Sequence, residues 1–160
     1  MAKIEQVTRP AVLLIGHGTA DRQGQHEFQQ VTEFVRSRMV PVPVEAAFLE
    51  LTSPTIPTAM CALLKQSPAK LIVAPVLLFS ARHAKHDIPQ AVRRAVRDSI
   101  GSDSKDSDSD TLRSVIAPHL QFTRPLECDE GLIDLSASRF WTAHRQLGSP
   151  PLTQTMILFV

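Results

Sequence analysis

Short apolar runs alternate with segments of helical period along most of the chain. The apolar runs are AVLLIG (11–16), PVPVEAAFLE (41–50), KLIVAPVLLF (70–79) and TLRSVIAPHL (111–120). A segment whose apolar residues recur every three or four positions follows each run, the last at about 128–146. Strands that alternate with helices predict βαβ units. We therefore expect an α/β fold of three αβα layers around a mostly parallel four-stranded sheet.

The helical segments also predict which side chains face the sheet. These are Phe28, Val31, Val35 and Met39; Ile56, Met60, Leu63 and Leu64; Ile88, Val92, Ala95 and Val96; and Leu132, Leu135, Phe140 and Ala143. Asp87 is a candidate cap for the third helix. Cys61 and Cys128 have neither disulfide density nor metal-ligand spacing, so we expect small buried side chains.

Two polar segments interrupt this pattern and suggest the domain organisation. SIGSDSKDSDSD (99–110) is acidic and of low complexity, which predicts a surface loop. GSPPL reads as a linker, and QTMILFV (154–160) resembles PAVLLIG (10–16). We predict one domain over 1–147, followed by a linker and a strand-like tail over 148–160. The tail is either a last sheet strand or, as we favour, the start of a truncated second copy.

The overall composition narrows the classes of function. The chain has 160 residues, is 43% hydrophobic and 21% charged, and carries a formal net charge of +1. This balance lacks the basic excess of a nucleic-acid-binding protein. No tract approaches the ~18 to 20 apolar residues that span a bilayer, and MAKIEQVTRP has no apolar core of signal-peptide type. We expect a cytoplasmic protein with neither a nucleic-acid nor a membrane partner.

Candidate chemical groups stand where the predicted strands end. His17 follows the first strand between Gly16 and Gly18, Glu50 ends the second strand, and His83 follows the third. Ligands bind at the carboxyl ends of such strands. Two facing imidazoles there could hold a divalent metal with positions left open, and a carboxylate could relay protons. A solvated loop acid remains the alternative for Glu50.

The other histidines and the motifs that the sequence lacks argue against other kinds of binding or catalytic site. The remaining loop histidines are expected to be solvated or to cap helices: His26, His119 and His144. Asp21 stands where the dinucleotide fingerprint needs its third glycine. The chain also has neither a phosphate-loop lysine nor a G-x-S-x-G nucleophile elbow. GHG (16–18) differs from the RHG of histidine phosphatases.

Three motifs in order resemble those of a known family. They are LLIGHGTAD, FLELTSPTIPTAM and VAPVLLFSARHAKHDIP, and APHLQFTRPLECDEGLIDLSASR fits more loosely. Over about residues 10–147 the chain is similar to class II chelatases of the CbiX/SirB type, the sirohydrochlorin cobalto- and ferrochelatases. This resemblance implies a flavodoxin-like chelatase half-domain, and His17 and His83 match the metal-binding histidines of the family.

The resemblance also implies an enzyme, a lyase that inserts Co²⁺ or Fe²⁺ into sirohydrochlorin in cobalamin or sirohaem biosynthesis, with Ni²⁺ left open. The metal would be a substrate, with no permanently bound cofactor. Its catalytic residues would be His17, His83 and Glu50. Candidate substrate-binding residues are Gly16, Gly18, Thr19, Ser80, Arg82 and Lys85, with Arg22 a further cation for substrate carboxylates. A homodimer or a fused second domain would complete the cleft. The alternatives are a non-catalytic metal- or tetrapyrrole-binding module and an inactive half of a longer chelatase.

Overall fold

A computed structural model describes residues 10–78, 83–101 and 118–156. The elements are β1 (Pro10–Gly16), α1 (Arg22–Arg38), β2 (Val44–Phe48), α2 (Ile56–Leu64), β3 (Lys70–Pro75), α3 (Ile88–Gly101), β4 (His119–Phe122) and α4 (Glu130–Gln146). A π-helical turn (His83–Asp87) leads into α3, and a short 3-10 helix (Leu152–Gln154) follows α4. The chain forms two compact units, one up to Glu127 and one from Cys128. Within the described ranges, no helix is both long and apolar enough to cross a membrane.

The first unit contains a four-stranded sheet in the order β2-β1-β3-β4, with every neighbouring pair parallel. This confirms the predicted parallel sheet, in which β1 and β3 are the two inner strands. Pro41 and Pro43 precede β2, which lies at the edge of the sheet. β4 differs from its prediction, because it begins at His119 and ends at Phe122. The predicted strand overlaps it by two residues, and 111–117 lie outside the described residues.

Helices cover both faces of β1, which is why its sequence is continuously apolar. Ala11, Leu13 and Ile15 belong to the cluster formed with α2 and α3. The alternate residues Val12 and Leu14 belong to a second, smaller cluster with α1. Burial of one Leu or Ile side chain stabilises the fold by about 1.5–3 kcal/mol. The two clusters establish the three αβα layers.

The predicted inner faces of α2 and α3 are confirmed. Their buried residues are Ile56, Met60 and Leu63 on α2, and Ile88, Val92, Ala95 and Val96 on α3; Leu64 packs partly buried against the same cluster. On α1 the prediction for Val31 is wrong, because its side chain is 44% exposed. Thr32 is buried instead and donates its hydroxyl hydrogen to the carbonyl of Phe28 at 2.9 Å. At about 100° per residue, Thr32 lies nearer than Val31 to the stripe that contains Phe28.

Three local expectations also prove wrong. Asp87 does not precede the helical segment as a cap, since it ends the π-helical turn that runs into α3. The predicted acidic loop overlaps α3, which continues to Gly101; 102–110 lie outside the described residues. Cys61 and Cys128 are exposed free thiols rather than buried side chains.

The second unit centres on α4, whose buried face was predicted only in part. Leu132 and Phe140 are half-buried, but Leu135 and Ala143 are exposed. His144 is buried instead, against the expectation of a solvated or capping side chain.

His144 is held by the segment that follows its own helix. Its Nε2 lies 2.8 Å from the carbonyl oxygen of Pro150. Its ring also meets that of Trp141 edge-on, with centroids 5.6 Å apart. A contact between a helix and its following linker therefore decides which face of α4 is covered.

One arginine joins α1 to the outer edge of β2. Arg36 donates from Nε and Nη2 to the carbonyl of Val44 at 3.1 and 2.9 Å. Pro43 uses its carbonyl to pair with β1, so that of Val44 points outward. Arg36 thus forms hydrogen bonds to an outward-facing carbonyl of an edge strand. This contact holds in place the strand that leads to Glu50.

Candidate active site at the carboxyl edge of the sheet

The pairing of β1 with β2 continues past both strands into the loops that carry His17 and Glu50. The N–H of Leu49 donates to the carbonyl of Gly16 at 3.0 Å, and the N–H of Glu50 donates to that of His17 at 3.1 Å. Backbone hydrogen bonds thus set the two residues opposite each other before their side chains contribute.

Gly18 allows the two loops to touch. Its φ is +104°, and a Cβ placed on it would lie 1.9 Å from the carbonyl oxygen of Glu50. Only glycine combines this backbone conformation with so close an approach. The second glycine of the GHG motif is therefore required by the contact between the loops. Leu51 follows Glu50 with a positive φ of 67°, so that loop also contains an uncommon backbone conformation.

The side chains of His17 and Glu50 meet at this edge. His17 Nε2 lies 3.5 Å from Glu50 Oε1, and the side chains are 46% and 50% exposed. This distance exceeds that of a well-formed hydrogen bond. A pair this exposed contributes at most about 1 kcal/mol to stability. It places a basic nitrogen beside a carboxylate, both accessible to a ligand.

The opposite side of the His17 loop is fastened to the first turn of α1. Asp21 caps the helix, because its Oδ2 accepts from the N–H of Gly24 at 2.8 Å. The N–H of Asp21 donates to Thr19 Oγ1 at 3.1 Å, and Gln25 Nε2 donates to the Thr19 carbonyl at 2.8 Å. No sequence motif indicated Gln25. Asp21 carried a usable signal, since Asp before a helix is a preferred cap.

The third predicted loop is only partly described. The N–H of Val76 donates to the carbonyl of Ile15 at 2.8 Å, so the chain leaves β3 at the same edge as His17. Ser80 and Arg82 lie outside the described residues, and so does the side chain of His83. Lys85 is exposed in the π-helical turn that His83 begins. The approach of His83 to His17 stays a prediction.

The described side chains include two donors of the kinds that bind divalent metals. No group of three or more His, Cys, Asp or Glu residues able to hold a metal occurs in the described parts of the chain. His17 and Glu50 offer one nitrogen and one oxygen donor, a combination that suits borderline divalent metals. Further ligands would have to come from elsewhere, and open positions are typical of sites that exchange or transform a ligand.

Comparison with known families identifies the chain. The profile named CbiX matches residues 11–143. The chain belongs to the CbiX family. The match covers the positions of His17, Glu50 and His83, and it confirms the resemblance seen in the three motifs.

Relatives and solved structures agree with this family. Over 87 residues the CbiX chain is 41% identical to a sirohydrochlorin ferrochelatase of Bacillus subtilis (strain 168), covering 54% of the chain and 33% of that protein. Over 138 residues it is 26% identical to a sirohydrochlorin cobaltochelatase of Methanococcus maripaludis, covering 81% and 96%. The cobalt complex of the sirohydrochlorin chelatase SirB from Bacillus subtilis subspecies spizizenii superposes with a TM-score of 0.68 at 30% identity, covering 84% of this chain and 50% of that one. The chain thus matches about a third of the Bacillus ferrochelatase and half of SirB.

Proposed function

We propose that this CbiX chain takes part in inserting a divalent metal, Co²⁺ or Fe²⁺, into sirohydrochlorin. The observation that carries the proposal is the His17–Glu50 pair at the carboxyl edge of the sheet, with 3.5 Å between Nε2 and Oε1. The pair lies inside the segment that matches the family. Relatives named sirohydrochlorin ferrochelatase and sirohydrochlorin cobaltochelatase support the same reaction.

The proposed reaction exchanges two protons for one metal ion. The tetrapyrrole loses two pyrrole N–H protons as the dication enters its four nitrogens, so charge is conserved. His17 and His83 would bind the incoming metal as neutral imidazoles. Glu50, beside His17, would accept one released proton as a general base, and an imidazole that has given up the metal to the ring would accept the other. Because His17 and Glu50 are each about half exposed, a planar macrocycle can approach them from the open edge.

The substrate's carboxylates would be bound by cations around this edge. Lys85 is exposed in the third loop, and Arg22 is exposed at the start of α1. Arg82 and Ser80 are further candidates in the third loop. Backbone groups of the first loop would contact the ring system, and this loop contains Gly16, Gly18 and Thr19.

A second candidate function follows from the length of the match. The chain matches a third of the Bacillus ferrochelatase and half of SirB. We propose that a second copy or a fused second domain completes the cleft. We also propose that the protein is cytoplasmic. If neither is present, the chain would be a non-catalytic metal- or tetrapyrrole-binding module, or the inactive half of a longer chelatase.

Anaerobic conversion of sirohydrochlorin, followed by absorbance, tests the proposal. Co²⁺, Fe²⁺ and Ni²⁺ are compared with wild type and with His17→Ala, His83→Ala and Glu50→Gln. His119→Ala is the matched control, because His119 is an exposed histidine at the amino end of β4, paired in register with Lys70. The proposal predicts insertion above background that falls by about 100-fold or more in the two histidine variants and by about tenfold or more in Glu50→Gln.

The same assay separates the alternatives. Tight binding of metal or tetrapyrrole by wild type, with no rate above background, would contradict catalysis and support a binding module. A rate that rises more steeply than linearly with protein concentration would support a cleft completed by a second copy. Equal loss of activity in His119→Ala would contradict the assignment of the site to the carboxyl edge.

A further inference from the structure

The loop that carries His17 lies between two attachments. On one side it touches the Glu50 loop, where the N–H of Glu50 donates to the His17 carbonyl at 3.1 Å. On the other side it meets the first turn of α1, where Gln25 Nε2 donates to the Thr19 carbonyl at 2.8 Å. The position of His17 therefore depends on α1 as well as on β2.

The second turn of α1, which follows Gln25, is packed closely on the sheet. A Cβ on Gly16 would lie 2.9 Å from the ring of Phe28, which shows how closely this ring packs on the end of β1. The ring of Phe28 also lies 4.9 Å, between centroids, from that of Phe48 at the end of β2. Gln25 thus extends from a helix anchored to the same two strand ends that lead to His17 and Glu50.

The Gln25 amide makes a contact that, among the described hydrogen bonds of this loop, the neighbouring groups do not duplicate. Asp21 and Thr19 bond to each other through the Asp21 N–H and the Thr19 hydroxyl, and Asp21 caps the helix through Gly24. These bonds do not involve the Thr19 carbonyl, which instead accepts a partly buried hydrogen bond from the Gln25 side chain. Loss of the donor to a partly buried carbonyl costs free energy, and the peptide can reduce this cost by reorienting. Thr19 is two residues from His17, so such a change would reach the imidazole.

We propose that Gln25 is a positioning residue of the site: its side-chain amide holds the Thr19 carbonyl and thereby fixes the His17 loop opposite Glu50. The inference rests on the proposed function, because it assigns Gln25 to the reaction of the His17–Glu50 pair. Gln25 acts through the loop and need not touch the substrate. Its loss should lower kcat/KM, because a reoriented Thr19 peptide would displace the His17 imidazole and a backbone group of the binding surface together.

The test compares variants that differ in whether the side chain at position 25 can donate a hydrogen bond to the Thr19 carbonyl. Gln25→Met keeps the length of the side chain and removes its N–H groups, whereas Gln25→Lys restores a donor. Gln29→Met, one turn further along α1 at an exposed position, is the matched control. For insertion of Co²⁺ we expect kcat/KM of Gln25→Met to fall about tenfold relative to wild type. Gln25→Lys should recover most of the loss, and Gln29→Met should match wild type.

A second readout separates this inference from the proposed function. NMR of the substrate-free protein should show shifted signals for the His17 ring and the Glu50 amide in Gln25→Met, and unshifted signals in Gln29→Met. If wild type inserts no metal, the proposed function fails, while the NMR comparison still decides whether Gln25 positions the loop. Unmoved His17 and Glu50 signals in Gln25→Met would overturn the inference. A wild-type kcat/KM in Gln25→Met, or an equal loss in Gln29→Met, would also overturn it.

Discussion

Replacing Gly18 with alanine should separate the two loops of the site. The new Cβ would lie 1.9 Å from the Glu50 carbonyl oxygen, whereas ordinary contact begins at 3.4 Å. The loops must therefore move apart by about 1.5 Å, the difference between these distances. That movement breaks the hydrogen bond from the Glu50 N–H to the His17 carbonyl.

The cost of Gly18→Ala has two parts. A non-glycine residue with a left-handed backbone costs about 1–2 kcal/mol, and the lost hydrogen bond costs about 1 kcal/mol. Together they predict about 2–3 kcal/mol of lost stability, which at this chain length lowers Tm by about 5–10 °C. Catalysis should suffer more, because misplacing a reacting group by about 1 Å can reduce the rate about 100-fold.

Gly148→Ala is the control for Gly18→Ala. Gly148 has a φ of +78°, and a Cβ added there would have nothing within 4 Å. It should bear only the backbone cost, about 1–2 kcal/mol, and keep wild-type insertion activity. The assays are thermal unfolding by circular dichroism and anaerobic Co²⁺ insertion. Wild-type activity in Gly18→Ala, or equal loss of activity in Gly148→Ala, would refute the reasoning.

Three further changes test the packing within each of the two units. Asp21→Ala removes the cap of α1 and should cost about 1 kcal/mol in urea unfolding; an unchanged midpoint would contradict the cap. Leu13→Ala, in the fully buried centre of β1, should cost about 2–5 kcal/mol, whereas Leu147→Ala, at a side chain 77% exposed, should cost little; equal losses would contradict the core assignment. His144→Ala should shift the emission of Trp141, the single tryptophan, and an unchanged spectrum would contradict their contact.

The spacing of apolar residues along the chain predicted the strands and helices whose burial follows a regular pattern. β1 reads as buried on both faces because α1 covers Val12 and Leu14 while α2 and α3 cover Leu13 and Ile15. The predicted position of β4 was wrong because β4 itself has only a weak hydrophobic pattern. His119 and Gln121 are exposed and alternate with half-buried Leu120 and Phe122. This alternation over four residues is a weaker signal than the apolar run before it.

Contacts made outside the regular elements were beyond such patterns. The burial of His144 depends on the Pro150 carbonyl, beyond the end of α4, which helical period does not encode. In the site, His17 and Glu50 could be found because each follows a strand that ends at one edge. Gln25 could not, since its role depends on a single bond to a loop carbonyl. The sequence thus indicated the chemical groups, and the structure adds what holds them.

The most direct test of the proposed metal site is an NMR titration of the protein with Co²⁺ under anaerobic conditions. Paramagnetic Co²⁺ shifts the signals of an imidazole that binds it, and His17→Ala assigns the His17 signals. Our account predicts the largest shifts for the His17 ring and for the Glu50 amide beside it, with much smaller shifts for His26 and His119, exposed on α1 and β4. Shifts at His26 or His119 with His17 unmoved would contradict the placement of the metal at the carboxyl edge of the sheet.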